Sequence, residues 1–455
     1  MVSSTPSPSP SPGEIDAVSM RAVYPYYVVC CLMVASALSF LDRLALSMLI
    51  EPVKADLVLS DTEVSILAGA AFAGSYVLFA FVFGRWVDTH GRRNAVVVGI
   101  SLWSCATAAC GLARSFGSLF AARSLIGVGE ASLNPAAYSM IADYFRPARR
   151  GIATAIFACG ATVGGGLAIM LGGQLVDWVQ ATGTTLPLMP DASPWQTVFV
   201  LIGLPGLLVA LLIALTVREP ERQLAGGETQ DIPRIRDALA FIGHNARALV
   251  PLFAGYSCIA VIGYSFMVWG PVHFMRLHGL DAGEVGLLLG LGYGIGGTIG
   301  LLAGGMVADA LVARGRIEAP VLVSLAAVAV DTPLFIGAYL AGDFMVAAVL
   351  FCLGMAAASV VGGLQISMVQ SLAPNRLRGI MAAVFGACVN LAGFGIAPTI
   401  TALLAENLFG GEMGIGKALA TMTAMAGAGA AILILIGIGP GRTLAQRLSG
   451  ERRPA

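Results

Sequence analysis

Apolar runs of about twenty residues or more, separated by short polar stretches, fill almost the whole chain. A helix that crosses a bilayer needs about 20 apolar residues. Twelve runs qualify, at about 24–50, 64–84, 94–113, 117–142, 151–176, 196–217, 248–274, 284–307, 319–340, 344–371, 379–404 and 415–438. The longest polar interval, 218–247, opens "REPERQLAGGETQDIPRIRD" and splits the runs into two sets of six. The expected organisation is a disordered Ser/Pro-rich tail over 1–20 and a six-helix bundle over 21–217. A cytoplasmic central loop over 218–247, a second six-helix bundle over 248–440 and a tail over 441–455 follow.

Composition agrees with this pattern. Hydrophobic residues make up 57% of the chain and charged residues 11%, with a mean hydropathy of +0.84. Soluble domains carry about 25% charge, so the pattern predicts an all-α membrane protein. Placing the N-terminus inside puts twenty of the 26 Lys and Arg residues in inner segments and four in outer ones. That bias predicts an even number of spans with both termini cytoplasmic. Net charge is zero and no basic tract offers a nucleic-acid surface. The eight cysteines all fall inside apolar runs without metal-site spacing, and no metal or cofactor is expected. Glycine-rich stretches such as "GLGYGIGGTIG" lie within a span and read as helix packing rather than phosphate binding, which argues against an ATP-driven pump or other enzyme.

The two halves are related. Residues 59–88 align without gaps to 280–309, pairing Leu59, Glu63, Val64, Leu67, Gly69, Gly84 and Asp88 with Leu280, Glu284, Val285, Leu288, Gly290, Gly305 and Asp309. "RGIATAIF" at 150–157 matches "RGIMAAVF" at 378–385. Repeats in equivalent topological places describe a 6+6 transporter with its substrate between the halves near the midplane.

Charge inside the spans is rare and therefore informative, because it is costly in lipid and tends to face a cavity and a partner. "LSFLDRLALSMLI" (38–50) sets Asp42 beside Arg43, and "RSLIGVGEASLNP" (123–135) carries Arg123 and Glu130. Adjacent helical residues point about 100° apart, so Asp42 and Arg43 each need another partner. Matching depths predict Asp42 against Arg123, and Arg43 is expected to reach toward Glu130. A guanidinium stays charged whereas a carboxylate gains or loses a proton with its surroundings. The four residues therefore form a candidate proton-coupling cluster; a static buried salt bridge and direct recognition of a charged substrate are the other readings. Asp331 is a further intramembrane acid with no partner evident in the sequence.

The loop "GRWVDTHGRR" (84–93) and the Arg-x-x-x-Gly-x-Gly of 123–129 resemble signatures of the major facilitator superfamily. The resemblance implies twelve transmembrane helices in two six-helix bundles and alternating access. It implies a cytoplasmic latch made of Gly84, Asp88, Gly91, Arg92 and Asp143, with Asp88 at a helix N-terminus of the other half and Arg92 paired to Asp143. The glycines are expected to permit a tight turn and close helix packing. The second copy, "GGMVADALVARGR" (304–316), has three extra residues before Gly315, which leaves its latch in doubt.

"LDRLALSMLIEPVKADLVLSDTEVSIL" together with "RSLIGVGEASLNPAAYSMIADYF" resembles the Spinster family more specifically, over the first five spans. That likeness implies proton-coupled movement of lysophospholipid or sphingoid-type lipids, with Asp42, Arg43, Arg123 and Glu130 at the positions that match the family's functional residues. The fifth span, "GATVGGGLAIMLGG" (160–173), lacks the Gly-Pro motif of superfamily efflux antiporters. Tyr76, Asn134, Tyr264, Phe266, Trp269, Gln365 and Asn390 are candidates to line an apolar cavity with a few polar groups, suited to an acyl chain and a polar head. His273 is expected near the outer interface. The expected partners are an amphipathic lipid or small-molecule substrate, protons and membrane lipids, for a monomeric multi-pass protein of the cell membrane, such as a bacterial inner membrane. A symporter of a small organic anion, a multidrug efflux protein and a non-transporting lipid sensor are the rival readings.

Overall fold

The computed structural model describes residues 12–89, 91–185, 190–220, 235–411 and 413–450, and among these it is helical with short connections. In chain order the α-helices of the first half are α1 (Pro12–Met48), α2 (Ile50–Leu57), α3 (Asp61–Ser65), α4 (Ala71–Thr89), α5 (Arg92–Cys110), α6 (Phe116–Glu130), α7 (Leu133–Tyr144), α8 (Pro147–Cys159), α9 (Gly165–Thr182) and α10 (Pro194–Thr216). Those of the second half are α11 (Ile235–His244), α12 (Ala246–His278), α13 (Ala282–Leu291), α14 (Gly297–Ala313), α15 (Ala319–Leu340), α16 (Phe344–Ser359), α17 (Val361–Leu372), α18 (Arg378–Asn390), α19 (Ala397–Leu404) and α20 (Gly414–Gly450). π-helical turns at Ile66–Ala70, Gly160–Gly164, Gly292–Gly296 and Leu391–Ile396 join α3 to α4, α8 to α9, α13 to α14 and α18 to α19.

Ten helical stretches among the described residues are long and apolar enough to cross a membrane. The sequence pattern predicts twelve. The other two positions are helical, in α5 and in α6 with α7, but α5 opens on Arg92 and Arg93, and α6 contains Arg123 and ends at Glu130. The run 117–142 is also interrupted after Glu130. Pro135 has no N–H to give the carbonyl of Ala131, so the helix breaks there and restarts at Leu133. Pro52 has the same effect on the carbonyl of Met48, where α1 gives way to α2. The first helix begins at Pro12, inside the stretch expected to be a disordered tail, with proline at a position where its missing N–H goes unmissed. Residues 1–11 of that tail and 451–455 lie outside the described residues. The expected central loop likewise contains α11.

The repeat is visible in local chemistry. Ser60 caps α3 by accepting from the N–H of Glu63, whose carboxylate takes the N–H of Ser60. Asp281 and Glu284 make the same reciprocal cap on α13, at the repeat-equivalent positions. The two halves meet mainly through α9 against α13, and through 61–70 against 391–404.

Candidate functional site

The charged cluster sits where α1, α4, α5 and α6 converge. Arg43 donates from Nε to Glu130 Oε2 at 2.6 Å, and Nη2 lies 2.6 Å from the same oxygen, with the Glu130 side chain fully buried. The Arg43 guanidinium also lies over the rings of Phe40, Phe72 and Tyr76 at 5.3, 4.8 and 5.5 Å. An aromatic surround attracts a cation while excluding water. Arg43 therefore has both partners that a buried guanidinium requires.

Arg123 behaves differently from the expectation. It is fully buried and donates to three main-chain carbonyls: Leu67 from Nε at 3.2 Å, Asp42 from Nη1 at 3.1 Å and Ala68 from Nη2 at 3.3 Å. The predicted meeting of Arg123 with Asp42 is through the Asp42 backbone, not its carboxylate. The π-helical turn at Ile66–Ala70 supplies two of the acceptors, on a stretch where the regular helical hydrogen-bond ladder is disturbed. Asp42 is 3% exposed, and its Oδ1 has no hydrogen-bond partner among the described residues. Trp103 and Thr107 of α5 stand beside it with their donors turned to its carboxylate.

Close helix contact holds this arrangement. A Cβ at Gly127 would lie 2.4 Å from the carbonyl oxygen of Phe72, and one at Gly129 2.7 Å from that of Gly99. The Gly-x-Gly of α6 thus lets α4 and α5 approach on two sides, which brings Arg123 to the carbonyls of 67 and 68. By contrast, Gly84 meets nothing within 4 Å and Gly91 meets Glu219 only at 3.6 Å, and neither has a positive φ. Neither a tight turn nor close packing demands glycine at those two positions in this conformation.

A cavity of about 210 Å³ opens beside the Arg43–Glu130 pair. Ser36, Ser39 and Asn134 give it polar walls, and Phe40, Leu133 and Phe157 apolar ones. Of the predicted lining residues, Asn134 donates to the Tyr76 hydroxyl at 3.2 Å, and Tyr264 donates to Asn390 Oδ1 at 3.4 Å from the other half. Gln365 donates to the carbonyl of Gly362 in its own helix. Phe266 and Trp269 are placed elsewhere. Phe266 is buried among Phe335, Tyr339 and Phe351, because two residues along a helix turn it about 200° from Tyr264. Trp269 is buried and donates to the carbonyl of Pro398 at 2.9 Å. His273 is buried against Phe274, His278 and Tyr339, one turn before Arg276. Asp331 accepts from the neighbouring Thr332 hydroxyl at 3.2 Å. Ser36, Ser39 and Phe157 escaped the sequence reading, although Ser36, Ser39 and Arg43 are spaced as one face of α1.

At the end of the first half where α5 begins, buried Arg92 pairs with Asp143, as the resemblance implies. It also donates to Glu219 from Nε at 2.9 Å. Glu219 takes the backbone N–H of Arg92 at 3.0 Å and of Arg93 at 2.8 Å, so it caps α5 from 127 residues away. Burial works to raise the Glu219 carboxyl, but the bonds from Arg92 and these N–H groups outweigh it and hold the carboxyl below the ordinary glutamate range. No local sequence signal joins position 219 to position 92. The Asp88 side chain, a member of the expected latch, lies outside the described residues.

At the opposite end the halves are clasped. Arg276 donates to Glu51 from Nε at 2.8 Å and to Asp61 from Nη1 and Nη2 at 3.2 and 3.1 Å. Asp61 also pairs with Lys54, Thr62 donates to Glu406 at 2.5 Å, and Asp177 accepts from the N–H of Gly283 at 2.7 Å. None of these residues stood out in the sequence.

Two related helical bundles, a buried ion pair opening on an internal cavity, and a charged clasp between the bundles define a membrane transporter. The Major Facilitator Superfamily profile matches residues 32–398, and the chain belongs to that family. It is a multi-pass membrane transporter and not an enzyme. An "MFS-type efflux pump" of Mycolicibacterium smegmatis is 28% identical over 400 residues, covering 86% of this chain and 88% of that protein. A "Probable galactarate/D-glucarate transporter" of Bacillus subtilis is 25% identical over 325 residues, covering 64% and 66%. Among solved structures, a bacterial homolog of the human lysosomal transporter Spinster, in an inward-facing and unoccupied conformation, superposes with a TM-score of 0.75. It is 24% identical and the match covers 95% of this chain and 99% of that one.

Proposed function

We propose that the protein is a proton-coupled secondary transporter that moves an amphipathic lipid, a lysophospholipid or sphingoid-type molecule, by alternating access through twelve spans with both termini cytoplasmic. One observation carries this reading: Asp42 is buried without a partner for Oδ1, while Arg43 and Glu130, next to it, wall a cavity that is polar on one side and apolar on the other. Arg43 and Asn134 suit a polar head, and Phe40, Leu133 and Phe157 suit an alkyl chain. Arg123 is held on the Asp42 carbonyl and not on its carboxylate, so movement of α1 against α6 changes the charge that the carboxylate faces. In this reading Asp42 is the proton carrier, exchanging its proton when water or Arg123 reaches its side chain. The clasp of Arg276 to Glu51 and Asp61 supports a state closed on the outer side. The test is flux in proteoliposomes loaded with labelled lysophospholipid, under a pH gradient of either sign. Gradient-driven movement that Asp42→Asn abolishes is expected; pH-independent movement unchanged by the substitution would overturn proton coupling.

A second reading has its own support. Arg43 is a guanidinium at a cavity wall, and one relative is named as a transporter of dicarboxylic sugar acids. A symporter of a small organic anion would show saturable uptake of galactarate in the same vesicles, lost in Arg43→Gln, and no lysolipid flux.

A further inference from the structure

We propose that the groove between the start of α12 and the end of α20 is a binding site for the phosphate of an anionic phospholipid headgroup. The groove has a volume of about 660 Å³ and is lined by Gly243, His244, Asn245, Arg247, Thr443 and Arg447 among others, with no Asp or Glu in its wall among the described residues. Both arginines are exposed, and among the described residues neither forms an ion pair. Among the described residues His244 engages only the carbonyl of Ala240, through Nδ1 at 2.7 Å, which leaves Nε2 for a ligand. The side chain of Asn245 turns back to the carbonyl of Phe241 at 2.9 Å instead of capping α12. The first N–H groups of a 33-residue helix are thus left without a side-chain cap at the groove. Two guanidiniums, an uncapped helix N-terminus and no opposing carboxylate make a receptor for an oxyanion, and the fork of each arginine fits phosphate oxygens.

Position says that the oxyanion is a lipid's. Both α12 and α20 contain stretches able to cross a membrane, so 246 and 448 mark one membrane face. The 37 residues of α20 extend roughly 55 Å, well beyond a hydrocarbon core of about 30 Å, and its last turns with Thr443 and Arg447 reach headgroup level. Beside the groove lies α11, which packs on α12 and α18 and exposes Ile235 and Leu239 one turn apart. An amphipathic helix next to exposed arginines is the arrangement that sits in a membrane interface. Val250, exposed in the first turns of α12, continues the apolar surface towards the acyl chains. Basic pockets between helix ends at such a face hold anionic headgroups.

The test measures binding of phosphatidylglycerol and phosphatidylcholine to the full-length protein by native mass spectrometry, with thermal protection as a second readout. Wild type is expected to retain phosphatidylglycerol in preference and to gain more protection from it. Arg247→Gln/Arg447→Gln should lower its apparent affinity about tenfold or more, while Arg314→Gln/Arg316→Gln, with the same change of net charge, should not. Single Arg447→Gln gives an intermediate loss and guards against a double variant that folds poorly. Equal retention of the two lipids, or a preference that survives Arg247→Gln/Arg447→Gln, would overturn the site. Protection by inorganic phosphate alone, equal to that by the lipid, would overturn the lipid assignment and leave a site for soluble phosphate.

Discussion

Arg276 grips Asp61 with both terminal nitrogens, at 3.2 and 3.1 Å, although the two residues belong to opposite halves of the transporter and are 215 positions apart. The same guanidinium reaches Glu51, so one residue of the second half holds two carboxylates of the first. Partly exposed ion pairs contribute modestly, about 0–1 kcal/mol each. Their importance here is directional, because they exist only while these helix ends are together.

Arg276→Gln should therefore favour separation of the halves at this end by about 1 kcal/mol, a several-fold change in the population of open molecules. Electron-resonance distances between labels at positions 59 and 280, on a cysteine-free background, will report it as a growing long-distance component. An unchanged distance distribution would mean that the helix packing of α9 on α13 closes this end unaided.

That packing has its own test. A Cβ at Gly173 would lie 2.3 Å from the carbonyl oxygen of Ala282, across the interface between halves. Gly173→Val should disfavour the clasped state by about 1–3 kcal/mol through overpacking. The same labels will show more opening than in Arg276→Gln, and thermal stability will fall.

Arg43 and Glu130 form a buried pair at 2.6 Å, and removing one partner strands the other. Arg43→Gln is expected to lower unfolding stability by about 3–5 kcal/mol, whereas Arg43→Gln combined with Glu130→Gln should cost less than the single change. A double-mutant cycle in chemical denaturation measures the difference. Simple additivity would show that the two side chains are not energetically joined.

Glu219 gives the pH dependence a definite sign. Its carboxyl is held below the ordinary range in the folded protein by Arg92 and the N–H groups of Arg92 and Arg93. The stabilisation is present above the unfolded glutamate value of about 4.3 and is lost as pH falls through the lower folded value. Glu219→Gln should lower the thermal midpoint at pH 7, consistent with a lost cap of about 1 kcal/mol. The gap from wild type should close below about pH 4. A gap that persists in acid would remove the carboxylate cap from the account.

Much of this protein is legible from local pattern. Spans announce themselves because a lipid-facing helix must be apolar over about 20 residues, and Pro52 and Pro135 mark the breaks that follow from a missing N–H. The pair of Arg43 with Glu130 could be inferred because charges in apolar helices are few and each demands a partner. Tertiary structure alone decided that Arg123 serves backbone carbonyls and not the Asp42 carboxylate, since those acceptors depend on a π-helical turn in a neighbouring helix. It alone turned Phe266 and Trp269 into the core and brought Glu219 to α5 and Arg276 to Asp61. Periodicity tells which residues share a face of one helix. Which helix that face meets is set by how the helices pack, and residues more than a hundred positions apart leave no mark of that meeting in a single sequence.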